Sequence, residues 1–144
     1  MTTLIEIIDQ WEADSEVDKT DISTAASTVD KLHSKYLRFL YEHKGKIMKY
    51  DSDYKKIRKL KWEYYSGKMS QEELSMRGWE PFQLKLKSDI PIYMESDEDL
   101  IKIQEKITYH EEAKSAAESI IKQINIRNYG IKNFIEWEKF LSGH

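Results

Sequence analysis

Apolar residues along this chain recur at helical spacing in two long stretches separated by one broken region. Leu4, Ile7, Ile8 and Trp11 predict a short amphipathic N-terminal helix, and the polar, acidic stretch Glu12 to Asp21 that follows reads as a loop. From Ile22 onward Val29, Tyr36, His43, Tyr50, Ile57 and Tyr64 fall seven apart, and His33, Leu40, Ile47 and Tyr54 follow the first four of these by four. The pattern predicts one long helix with a coiled-coil-like seam from Ile22 to Tyr65, roughly 66 Å if continuous, with Gly45 marking a place to bend or break. A helix of that length needs a partner helix.

Ser66-Gly67 supplies a C-terminal stop, and Ser70 to Glu73 reads as a capping box for a short helix ending near Gly78, ahead of Glu80-Pro81. Phe82, Leu84 and Leu86 alternate with polar residues, and Ile90, Ile92 and Met94 continue the alternation, so Phe82 to Met94 is predicted to be extended or hairpin-like. Ser96 to Asp99 is a second helix start. Beyond it Leu100, Ile103, Ile107, His110, Ala117, Ile121, Ile124, Ile131 and Ile135 share one stripe of a second long helix running towards Phe140. Asn128 and Gly130 interrupt that stripe, as a buried registry-setting residue or a bend. The expected fold is mainly α: two long amphipathic helices, short flanking helices and a short extended or hairpin connector. Residues 1–144 form a single elongated helical domain in this reading.

Composition narrows the picture further. The chain has 144 residues, 34% of them charged, with only five Gly and two Pro, which argues against an all-β architecture with many turns. Without Cys there is neither a disulfide nor thiolate chemistry. The start MTTLIEIIDQW lacks the basic head and apolar run of a signal peptide, and no apolar run reaches membrane-spanning length, so the expected setting is soluble and cytoplasmic.

Charge is segregated. Between Lys44 and Lys68 nine Lys or Arg residues face three acids, so this segment carries +6 while the rest of the chain holds about −9, for an overall −3. Tyr50, Tyr54, Trp62, Tyr64 and Tyr65 are interleaved with these cations, and base stacking on aromatic rings is a sequence-tolerant way to hold a single strand. The candidate DNA contacts are Lys55, Lys56, Arg58, Lys59 and Lys61, with Trp62 and Tyr65 either stacking on bases or touching another subunit. Tyr50, Tyr54 and Tyr64 lie on the seam and are assigned to helix packing.

Other chemistry is thin. His33, His43, His110 and His144 form no close pair of metal-ligand spacing and read as packed interface histidines. Glu95 to Asp99 suits a helix N-terminus, and neither these acids nor Glu111 and Glu112 are assigned catalysis. No glycine-rich phosphate loop, nucleophile elbow or zinc motif occurs, so no cofactor, metal or enzymatic activity is expected. Phe134, Trp137 and Phe140 are assigned to an oligomer contact.

The run Lys59, Lys61, Trp62, Glu63, Tyr64, Tyr65, Ser66 and Gly67 resembles the Lys-x-Arg-apolar-Asp-Tyr-Tyr-Ser-Gly segment of the UvsY family of bacteriophage recombination mediators. Glu73 to Met76 and the stretch RNYGIK, Arg127 to Lys132, are similar in order, and the likeness covers residues 20 to 140. The resemblance implies a non-enzymatic accessory protein that binds single-stranded DNA, closes into a homo-oligomeric ring of six or seven copies, and loads a RecA-like recombinase onto strands covered by single-strand-binding protein, in the host cytoplasm. It also implies that Lys59 and Lys61 contact the strand, with Lys61 standing where the family has Arg and so lacking its bidentate fork. Residues 22–67 would be the DNA-binding part and 96–141 the oligomerising part. Two other readings compete: a coiled-coil structural or adaptor protein whose basic segment meets an acidic surface, and a helicase-loading replication accessory factor.

Overall fold

The computed structural model describes residues 1–16 and 21–143, and among these the regular structure is entirely helical. Helix α1 spans Leu4–Asp14, α2 Ile22–Ser27, α3 Val29–Tyr65, α4 Gln71–Arg77, α5 Ile90–Glu95 and α6 Glu98–Leu141, with a single 3-10 turn at Lys87–Asp89 before α5. The N-terminal helix reaches further than its apolar pattern predicts. Thr3 and Glu6 cap it reciprocally, and Glu12 to Asp14, read as loop, continue it; Val17 to Thr20 lie outside the described residues. The break before α3 falls at Thr28 and not at Gly45. There the Ser27 and Thr28 hydroxyls donate to the Thr24 and Ala25 carbonyls at 2.9 and 3.0 Å, local bonds that compete with helix continuation. Gly45 costs α3 only helix propensity, and α6 likewise runs unbroken through Asn128 and Gly130.

The chain forms two compact units, Met1–Gly45 with Tyr109–His144, and Lys46–Thr108. In the first, Ile7, Tyr36, Ile124, Ala113 and Ala117 are fully enclosed, with Val29, Phe39, Ile120 and Ile131 around them. The seam of α3 therefore finds its partner in the α6 stripe of the same chain. Trp11, Tyr36 and Phe39 meet edge to face at 5.6 and 5.4 Å. Asp14 accepts from Lys35 Nζ at 2.7 Å and from the Tyr36 hydroxyl at 2.8 Å, while Arg127 donates to the Asp14 carbonyl, so the end of α1 is tied to both long helices. His43 and His110 are buried with Nδ1 atoms 2.8 Å apart, and His43 Nε2 lies 2.7 Å from the Thr2 carbonyl. Nε2 donating to that carbonyl leaves Nδ1 of His43 to accept from His110. Both histidines are packing groups, as their seam positions predict; His144 lies outside the described residues.

In the second unit α3 ends in a Schellman motif. Gly67 takes φ 76°, its amide donates to the Tyr64 carbonyl at 3.2 Å, and the Lys68 amide reaches back to Glu63 at 2.9 Å. Ser70 caps α4 through the Glu73 amide, and Gly78 closes it by the same device. The segment expected to be extended or hairpin-like is not a strand: Trp79 to Leu86 is irregular, and Lys87 to Glu95 is helical turn and helix. Aromatic anchoring, not a ladder, holds it. Phe82 packs on Tyr64, Tyr65 and Tyr93, Trp79 packs on Tyr64, and the Tyr64 hydroxyl donates to the Glu80 carbonyl at 2.6 Å. Pro91 sits in the first turn of α5, where its missing N–H is harmless. Leu86 is left exposed, so the alternation never defines a buried face.

Candidate nucleic-acid interface

The basic run of α3 is divided by the helix into three environments. At 100° per residue Lys55, Arg58, Lys59 and Trp62 are related by three- and four-residue steps and share one flank, where all four are exposed. Trp62 is 42% exposed, with Lys68 Nζ 4.3 Å from its ring centroid. Arg58 and Trp62 line a cleft of about 510 Å³ together with Tyr54, Lys87, Pro91 and Met94. Lys87 lies far outside the basic segment in sequence, and the fold alone adds it to this flank. Lys55 is paired with Asp51 at 3.0 Å across one turn, a contact exposed enough to be weak. Lys56 is exposed on the opposite flank of the helix.

Lys61 and Tyr65 occupy the third environment, the interior of the unit. Lys61 is only 8% exposed, and its Nζ lies 3.2 Å from Asp97 and 2.8 Å from Asp99, with the Trp79 ring 4.4 Å away. The Tyr65 hydroxyl donates to Asp97 at 2.5 Å, and its ring stacks with Tyr93 at 5.8 Å. Asp97 also caps α6 by accepting from the Leu100 amide at 3.1 Å. Burial pushes the Asp97 carboxyl up, but the Tyr65 hydroxyl, the Leu100 amide and Lys61 outweigh it and hold the group below its ordinary value. Burial likewise lowers Lys61, and hydrogen bonds to Asp99 and Asp97 more than reverse that; burial and Asp97 together raise the Tyr65 phenol. These groups join the end of α3 to the start of α6.

A signal for the inward turn of Lys61 is present in the sequence. The series His33, Leu40, Ile47, Tyr54 steps by seven, and the next member is Lys61. Among the described residues no group of His, Asp and Glu is arranged to hold a metal ion, and no helix is long and apolar enough to cross a membrane.

The fold is that of known proteins. Crystal structures of the bacteriophage T4 recombination mediator protein UvsY superpose with TM-scores of 0.82 and 0.79 at 22% and 18% identity, the first covering 99% of both chains and the second 95% of this chain and 97% of that one. The recombination protein uvsY of Enterobacteria phage T4 is 23% identical over 140 residues, 97% of this chain and 98% of its own length. The family described as "Recombination, repair and ssDNA binding protein UvsY" matches residues 10–144. With a family match over nearly its whole length and the basic helix in place, the chain belongs to the UvsY family of recombination, repair and single-stranded-DNA-binding proteins.

Proposed function

We propose that the chain is a recombination mediator that binds single-stranded DNA and loads a RecA-like recombinase onto strands covered by single-strand-binding protein. The observation that carries this reading is the exposed flank of α3, where Lys55, Arg58 and Lys59 share one helix face with the partly exposed Trp62 in a chain of this family. Cations there neutralise phosphates and release counterions, while Trp62 offers a face to a base. Lys61 and Tyr65 serve this flank as positioning residues, since contact with a phosphate would take the Lys61 ammonium from Asp97 and Asp99. The protein acts without catalysis, in the host cytoplasm, as a ring of six or seven copies whose subunits associate through residues 96–141. Repetition of a weak site around such a ring gives tight binding through avidity.

The test is anisotropy of a labelled oligo-dT strand titrated with the protein across a salt series, with duplex of equal length as competitor. Salt-sensitive binding that prefers the single strand, followed by faster recombinase filament assembly on strands precoated with single-strand-binding protein, is the expected result. Absence of binding at low salt overturns the reading in favour of a structural adaptor. Strand binding that accelerates helicase assembly, and not recombinase assembly, overturns the mediator role alone.

A further inference from the structure

The opposite flank of α3 forms a second cleft, of about 580 Å³, whose cations come from three helices. Lys56 enters it from α3, Lys102 and Lys106 from α6, and Arg77 from the end of α4. Its floor is apolar, made by Ile57, Leu60 and Ile103. Lys56, Lys102 and Lys106 are exposed and form no ion pair among the described residues. Lys102 and Lys106 are one turn apart on α6, a like-charge arrangement that weakens an isolated helix and is relieved by a polyanion. Arg77 is only loosely engaged, 3.5 Å from the half-buried Glu73. Two acids also line the cleft: Asp99 is committed to Lys61, which leaves Asp53 facing the other cations.

We propose that this cleft is a second seat for single-stranded DNA, with Lys56, Lys102, Lys106 and Arg77 holding successive phosphates above the apolar floor. The inference rests on the single-strand reading above and extends it to residues outside the basic segment. Two features select the occupant. The cations come from three helices, with Lys102 and Lys106 spaced by one turn along α6, an array that suits a flexible chain of phosphates better than a single small anion. The cleft's aromatic rings already carry cations, Lys61 at 4.4 Å and Arg77 at 5.5 Å from Trp79, and Lys106 at 5.5 Å from Tyr50. Backbone phosphate and sugar, more than stacked bases, therefore fit here.

Amine acetylation of the full-length protein, read by mass spectrometry with and without oligo-dT at low salt, tests the seat without altering the chain. The expected result is a severalfold fall in the reactivity of Lys102 and Lys106, with exposed Lys122 unchanged as a control. Protection of Lys55 and Lys59 while Lys102 and Lys106 react as before overturns the second seat and leaves the single-strand reading standing. Protection of no lysine, with no anisotropy change, overturns both. Protection by polyglutamate but not by oligo-dT overturns the nucleic-acid assignment in favour of an acidic protein segment. As a second measurement, Lys102→Gln with Lys106→Gln lowers the slope of log binding constant against log salt by about 0.7 for each phosphate that is no longer neutralised, and an unchanged slope overturns the proposal.

Discussion

Lys59 and Lys61 stand two residues apart in one basic run, yet they differ in what they touch. Lys59 is exposed on the Trp62 flank, whereas Lys61 is closed in by Asp97, Asp99 and Trp79. Lys59→Ala is expected to reduce the salt slope of single-strand binding by about 0.7 while stability stays within about 0.5 kcal/mol. Lys61→Ala leaves the buried Asp97 carboxylate without its cation and is expected to destabilise the unit by about 3 kcal/mol in chemical denaturation. Equal stability of the two variants would refute the structural role given to Lys61. The pH dependence has a fixed sign. Because the folded Asp97 carboxyl lies below its ordinary value of 3.8, its contribution is complete above that pH and declines as pH falls through the depressed folded value. In Asp97→Asn that acid-side loss is expected to shrink, and an acid melt identical to wild type would contradict it. Basic composition alone does not separate these two lysines; the position of Asp97 and Asp99 at the start of α6 does.

At the scale of elements, the two long helices were legible because their apolar stripes repeat over many turns, and chance rarely sustains such a period. Glycine was harder to interpret, since the same residue interrupts nothing at one site and ends a helix at another. Gly45 lies inside α3 with open space where a Cβ would stand, so Gly45→Ala is expected to raise stability by about 0.5 to 1 kcal/mol. Gly67 holds φ 76° in the Schellman turn, and Gly67→Ala is expected to lower stability by about 1 kcal/mol. Paired thermal melts check both signs; the same direction for both variants would refute the contrast. The extended reading of Phe82 to Met94 failed because its period of two was borrowed from anchors of another kind. Phe82 and Tyr93 pack on Tyr65, and the residues between them follow that constraint with no strand beside them.

For the whole molecule, the relevant feature is apolar surface left uncovered within one chain. Tyr129, Trp137 and Phe140 are 70%, 56% and 70% exposed, and the last two rings stack at 5.6 Å. The proposed ring would bury them. Trp137→Ser with Phe140→Ser is therefore expected to shift the protein to smaller species in sedimentation velocity and to weaken strand binding by about a hundredfold or more as avidity disappears. A wild-type chain that sediments as a monomer at micromolar concentration would remove the basis of that prediction.

The helical class, the two long stripes, the capped starts and the segregation of charge were all determined by the order of residues, because each depends on neighbours within about a turn or on a repeat that survives averaging. The resemblance carried by Lys59 to Gly67 likewise needed only sequence. The seven-residue series that ends at Lys61 marks that cation as inward, but which acids neutralise it and which distant lysines join the exposed ones depend on helices meeting across long separations in the chain. Lys61 with Asp97, Arg58 with Lys87, and Lys56 with Lys102 and Lys106 are brought together by packing, since a helix fixes the directions of its side chains and only the opposing helix decides what those directions encounter.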